Sequence, residues 1–265
     1  MSSRRLRGGA PQARSGGEQP PEKTRLPQPP AVAPAPPAVP PLVGRVVGNQ
    51  PVERIRTYPA GSSRLPNGQT ETSKWPVLTY GPTPVVAIED WRLRIFGAVE
   101  HEVEFTWADL QRVPSVQVQA DFHCVTTWSR YDMVFGGFRV RDLLALARPR
   151  VDATHVMQHA YGGYTTNVEL ATMCDDDVLV VTEVDGAPLE VEHGGPARVV
   201  VPKRWAWKGA KWVNGLEVMT RDKRGFWELN GYHTHGDPWG PDEERYSSQE
   251  QAWTTRKKGN ELRRE

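Results

Sequence analysis

Val116-Gln117-Val118-Gln119-Ala120-Asp121-Phe122-His123-Cys124 is the stretch on which the reading of the fold turns. Apolar Val116, Val118, Ala120 and Phe122 alternate with polar neighbours. That period of two turns one row of side chains to a core and the other towards solvent, the mark of a half-buried strand. The strand runs straight into a cysteine. Val125-Thr126-Thr127-Trp128-Ser129-Arg130 comes next and reads as a polar loop. A thiol at the mouth of such a loop stands where binding and catalytic residues commonly gather.

Outward from this stretch the chain remains rich in strands. Trp91 to Val99 reads as a strand that continues through Gly97 into Val103-Glu104-Phe105. Thr106-Trp107-Ala108-Asp109 carries a helix start, a threonine cap with an acidic residue three positions on, and Pro114 bounds that helix. Val140 to Ala147 spaces its leucines as a helix does and stops before Pro149. Thr154 to Ala160 alternates like a strand, and Val178 to Val184, Arg198 to Val201 and Val213 to Met219 read as strands, with a turn at Asp185-Gly186. Strands with short helices inserted make an α+β fold, without the regular βαβ alternation of a doubly wound sheet. No GxGxxG or GxxxxGK[ST] opens a helix, so dinucleotide and P-loop chemistry have no support.

Composition divides the 265 residues unevenly. Residues 1–44 hold eleven of the 24 prolines and no Trp, Tyr, Phe or Ile. Such a segment has too little bulky apolar surface to offset the entropy of ordering it, and reads as a disordered or polyproline-II tail. Six basic against two acidic residues give the tail +4, so a chain of net +1 leaves the rest at −3. A mildly acidic body argues against nucleic acid as the partner. Arg4-Arg5 is followed by glycine, proline and charge rather than an apolar run. A twin-arginine leader is therefore not expected, and the localisation read is cytoplasmic. No apolar run approaches the roughly 20 residues that span a bilayer. The organisation expected is a tail over 1–44, an irregular lead-in over 45–74, a folded domain over 75–245, and a charged C-terminal tail over 246–265.

Two cysteines exclude a disulfide scaffold and a four-cysteine zinc site. Cys124 is either a small buried hydrophobe or, as thiolate, a soft donor for a metal. Cys174 adjoins Asp175-Asp176-Asp177, which disfavour a thiolate, and reads as packing. His193-Gly194-Gly195-Pro196-Ala197-Arg198 joins a glycine turn to an arginine at the head of an apolar strand. It is either a hairpin with a surface ion pair or a grip on a phosphate. Lys208-Gly209-Ala210-Lys211 is either a solvated basic loop or an anion site of ammonium groups and backbone N–H. His155 with His159, and His233 with His235, are spaced for a shared strand face. They raise a zinc hydrolase as a further reading.

Taken in order, these pieces resemble the molybdopterin-binding domain of the sulfite oxidase family. Phe122-His123-Cys124-Val125-Thr126-Thr127-Trp128-Ser129 looks like the segment with the molybdenum-ligating cysteine. Gly137-Phe138-Arg139-Val140-Arg141-Asp142-Leu143-Leu144 looks like the helix start after it. Asp185 to Leu189 and His193 to Pro202 are similar to the pterin-binding segment, and Lys208 to Val213 to the loop that holds the cofactor phosphate. Gly225-Phe226-Trp227-Glu228 and Gly231-Tyr232-His233 resemble the C-terminal closure.

The resemblance, over roughly 75–245, implies a molybdenum–molybdopterin cofactor with Cys124 as the protein thiolate on the metal. It implies that His193 and Arg198 bind the pterin and its phosphate, with Lys211 and the backbone of Gly209 and Ala210 completing the anion site. Lys208, His159, Thr79 and Tyr80 are further cofactor contacts, and Arg130 or Tyr131, in the loop after the cysteine, would approach substrate. Where animal and plant sulfite oxidases carry Arg-Asn-His, this chain reads Leu78-Thr79-Tyr80, so the cation that holds sulfite is missing. The expected reaction is two-electron oxo-transfer on a small oxyanion or sulfoxide-like substrate. No CxxCH haem site is present, so electrons are expected to pass to or from a separate electron-transfer protein. The competing reading is a cofactor-free relative acting as a scaffold through its proline-rich tail.

Overall fold

The computed structural model describes residues 51–250. The expected tail over 1–44 and most of the expected C-terminal tail, 251–265, lie outside the described residues.

Twelve strands are present among the described residues: Val52–Arg54 (β1), Thr70–Glu71 (β2), Arg92–Gly97 (β3), Val103–Thr106 (β4), Val116–Cys124 (β5), Trp128–Arg139 (β6), His155–Ala160 (β7), Thr165–Glu169 (β8), Leu179–Val184 (β9), Ala187–Pro188 (β10), Arg198–Val200 (β11) and Val213–Met219 (β12). Four short α-helices interrupt them, Trp107–Leu110 (α1), Val140–Ala147 (α2), Leu170–Met173 (α3) and Phe226–Leu229 (α4). The fold is α+β and strand-rich. One sheet runs β1-β5-β6-β9-β10, with β11 also on β9 and β2 also on β6. The other runs β4-β3-β12-β7-β8.

The first sheet is covered on both faces, as the alternation along β9 shows. Val180 enters one core with Trp91, Leu93, Ile95, Leu143, Leu144 and Leu216. Leu179 and Val181 enter the other with Val118, Ala120, Phe122, Met133 and Phe135. Burying each such side chain is worth about 1.5–3 kcal/mol, so the two cores set the register of β9. Helix α2 lays Val140, Leu143, Leu144 and Ala147 into the first core. Helix α1 starts on the expected capping box: Thr106 Oγ1 accepts from the Asp109 N–H, and the Asp109 carboxylate accepts from the Thr106 N–H.

Three expectations are corrected. The strand read from Trp91 through Phe105 is a hairpin, because β3 and β4 pair antiparallel, Arg92 opposite Thr106. Gly97 reverses the chain with φ +94°, and a Cβ there would stand 2.4 Å from the Val218 carbonyl oxygen. The polar loop after Cys124 is only the turn 125–127, which leads into β6, the longest strand. A bulge hides its period: the β5–β6 register shifts between Ala120 and Phe122, and Asp132 opposite takes φ +55°. The lead-in is not wholly irregular, since β1 pairs in parallel with β5 and β2 with β6.

Candidate active site

Cys124 ends β5, buried, in the same row as Phe122. Arg198 opens β11 in the same row as Val200, which packs in the core that holds Phe122. The two rows meet: the Arg198 guanidinium lies 5.3 Å from the centroid of Phe122 and 5.8 Å from that of Trp75. Trp75 stacks on His193, with centroids 3.7 Å apart and planes within 6°. Arg198 is 3% exposed. It donates to the His193 carbonyl at 3.0 Å and more distantly to those of Val199 and Gly209. Lys211 Nζ donates to the carbonyls of Leu78 (2.8 Å) and Glu192 (2.9 Å) and to Thr79 Oγ1 (3.2 Å). A Cβ on Gly194, at φ +111°, would stand 2.9 Å from Lys211 Cβ, so this glycine lets the two loops close on each other.

Neither Arg198 nor Lys211 forms an ion pair with a carboxylate among the described residues. Burial lowers the Arg198 pKa to about 10. Burial and then the Arg198 charge lower Lys211 to about 8. Burial, followed by the charges of Arg198, Lys211 and Arg130, holds His193 at about 4, so it is neutral near pH 7. The negative charge of a Cys124 thiolate acts on both Arg198 and Lys211 in the opposite sense. A buried guanidinium and an ammonium that form no ion pair with a carboxylate, within electrostatic reach of a thiol, are suited to hold an anion.

The turn that presents Cys124 is fixed from several directions. Its Sγ lies 3.1 Å from Thr126 Oγ1. The Thr127 N–H donates to the Cys124 carbonyl with Thr127 at φ +74°, and the Thr70 N–H donates to the Thr127 carbonyl. Arg245, whose guanidinium lies 4.7 Å from the Trp205 ring, donates to the carbonyls of Val125 (2.8 Å) and Asn67 (3.0 Å). On the opposite face of β5, His123 bonds Ser129 at 2.8 Å, and burial holds its pKa at about 4.

The other expected residues divide. Arg130 lines a hollow of about 270 Å³ with Trp75, Leu189, Glu190 and His193, and pairs with Asp185 at 2.5 Å. It lies on β6 rather than in a loop, and so does Tyr131, whose ring stacks under Arg64 at 4.0 Å beside Asp121. Thr79 reaches Lys211, whereas Tyr80 packs on Phe226 and Trp227. Lys208 is not brought to the anion site: fully buried, it donates to Glu228 (2.7 Å), Asn167 (3.1 Å) and the Thr234 carbonyl (2.6 Å). The N–H groups expected from Gly209 and Ala210 are taken by the Ala206 carbonyl and Gln158 Oε1, which leaves anion binding to side chains. His159 bonds Glu217 at 3.0 Å and packs on Phe96. His233 accepts from the backbone of His235 and Gly236, and His235 bonds Glu244. No group of three or more metal-ligating side chains is found among the described residues.

One site residue was not singled out from sequence: Trp75, on which His193 stacks. Only its aromatic character hinted at it.

Comparison with known proteins identifies the family. Residues 80–227 match the family described as oxidoreductase molybdopterin binding domain. The "Uncharacterized oxidoreductase YuiH" of Bacillus subtilis is 38% identical over 67% of this chain and 90% of its own. Sulfite oxidase of Arabidopsis thaliana is 25% identical over 58% of this chain and 48% of its own. The catalytic subunit MsrP of the Campylobacter jejuni protein-methionine-sulfoxide reductase is 24% identical over 53% and 52%. The chain thus spans about half the length of these last two. Among solved structures, the sulfane dehydrogenase SoxCD of Paracoccus pantotrophus aligns over 52% of this chain and 40% of its own, at 25% identity and a TM-score of 0.49. With more than half of its length matched, the chain belongs to the oxidoreductase molybdopterin-binding domain family, enzymes that carry molybdenum on molybdopterin.

Proposed function

We propose that the protein performs two-electron oxo-transfer on a small oxyanion or sulfoxide-like substrate, exchanging its electrons with a separate redox protein. The observation that carries this reading is Arg198: a buried guanidinium without a carboxylate, joined by Lys211 and lying against Phe122, whose row on β5 ends at Cys124. Leaving such a charge without a counter-ion costs several kcal/mol, and the phosphate of a pterin cofactor would offset it.

The donor set fits the cofactor. Cys124 supplies one soft sulfur for the metal, Arg198 and Lys211 the phosphate grip, and His193, flat on Trp75, a neutral imidazole edge for the pterin. When bound, the cofactor supplies reversible two-electron chemistry and an exchangeable oxygen. The protein's part is to hold the cofactor and exclude water. In the reducing direction the balance is XO + 2e⁻ + 2H⁺ → X + H₂O.

Sulfite and sulfoxide chemistry among the relatives supports the substrate class. No helix among the described residues is long and apolar enough to cross a membrane. The electron partner is inferred from the chemistry. The test is metal and pterin analysis of protein from a molybdate-supplied host. Near-stoichiometric molybdenum, lost in Cys124→Ala, is expected, and its absence from the parent protein would overturn the reading. A screen of S-, N- and chlorine-oxo substrates with an artificial electron carrier then identifies X.

A further inference from the structure

Thr126 stands two residues past Cys124, exposed, with its hydroxyl oxygen 3.1 Å from Cys124 Sγ. In the free thiol either atom can donate. A metal-bound thiolate has no proton left, so the direction becomes fixed and the hydroxyl must donate to sulfur. The contact is held by the turn around it. Thr127 Oγ1 donates to the Thr126 carbonyl at 2.6 Å, the Thr127 N–H closes the turn on the Cys124 carbonyl at 3.1 Å, and Arg245 and the Thr70 N–H hold the carbonyls on either side. The left-handed threonine at position 127 is tolerated because these bonds over-determine it.

We infer that Thr126 is a positioning residue that tunes the metal centre by donating a hydrogen bond to the Cys124 thiolate. This rests on the molybdenum reading of the site. A donor on a ligating sulfur draws charge from it, weakens its donation to the metal and favours the reduced state. Solvent competes at an exposed hydroxyl, so the expected effect is modest, about three- to tenfold in the ratio of oxidation states.

The experiment compares holo parent, Thr126→Val, which keeps the side-chain shape without the hydroxyl, and Thr126→Ser, which restores it. The readouts are molybdenum content, the thiolate-to-metal absorption band, and the proportion of Mo(V) by paramagnetic resonance at a fixed applied potential. At the potential where the parent holds equal Mo(VI) and Mo(V), Thr126→Val is expected to keep its metal and to raise the Mo(VI)-to-Mo(V) ratio from one to about three to ten, with the band moved to longer wavelength. Thr126→Ser is expected to return both to the parent values. An unchanged ratio and band in Thr126→Val would overturn the inference, as would loss of the metal from that variant, because Thr126 would then retain the ligand rather than tune it. A parent without molybdenum would instead overturn the reading beneath it.

Discussion

The imidazole of His193 lies flat on the indole of Trp75, centroids 3.7 Å apart and planes within 6°. His193 is neutral near pH 7, so this is aromatic stacking rather than a cation on a ring. Such pairs contribute about 0.5–1.5 kcal/mol. Trp75→Ala is expected to speed cofactor loss about two- to tenfold, and Trp75→Phe to keep most of the parent's retention. Pterin remaining after timed gel filtration measures it. Equal retention in Trp75→Ala would show that the stack does not hold His193 for the cofactor.

Arg198 is expected to lower the stability of the cofactor-free protein. Its guanidinium is buried without a carboxylate. Arg198→Met is expected to abolish cofactor binding while stabilising the apo protein by about 1–3 kcal/mol. For a domain of this size that is a rise of roughly 2–10 °C in Tm. Calorimetry of the two apo proteins gives the sign, and a lower Tm in the variant would mean that the carbonyls of His193 and Gly209 already compensate the charge.

Lys211 predicts a pH dependence. Its pKa falls from 10.5 unfolded to about 8 in the folded apo protein, through burial first and then Arg198. Between pH 8 and 10.5 the unfolded chain keeps a proton that the folded chain has released. Apo stability should therefore gain from this group as pH rises through that window, and Lys211→Met should remove the gain. Anion binding runs the other way. Affinity of the apo protein for inorganic phosphate, followed by calorimetric titration, should begin to weaken above about pH 8. A flat profile to pH 10 would exclude Lys211 from the anion site.

Lys208 and Glu228 form a fully buried ion pair, 2.7 Å apart. Lys208→Met strands the carboxylate and should cost about 3–5 kcal/mol, whereas Lys208→Met with Glu228→Leu should recover most of it. Denaturant melts of the apo proteins decide this. The paired variant should also bind cofactor as the parent does, which Lys211→Met should not.

The two lysines show where sequence reading stops. Lys208 and Lys211 stand in one short motif and look interchangeable. What separates them are Glu228, 20 residues on, and Asn167, 41 residues back, which take the Lys208 ammonium. The strand entering Cys124 was legible because its side chains keep a period of two against one core. The strand leaving it was not, because Asp121 and Asp132 meet across a bulge that breaks the period. Arg198 could be picked out by its place at the head of an apolar run. Trp75 could not, since its stack with His193 crosses more than a hundred residues.

Arg245 ties the Val125 carbonyl to the Asn67 carbonyl. The Cys124 turn is thus clasped by pieces of chain from near both ends of the described fold, and neither piece belongs to the cores that stabilise the sheets. Loss of the Arg245 guanidinium is therefore expected to loosen the cysteine hairpin before either core gives way.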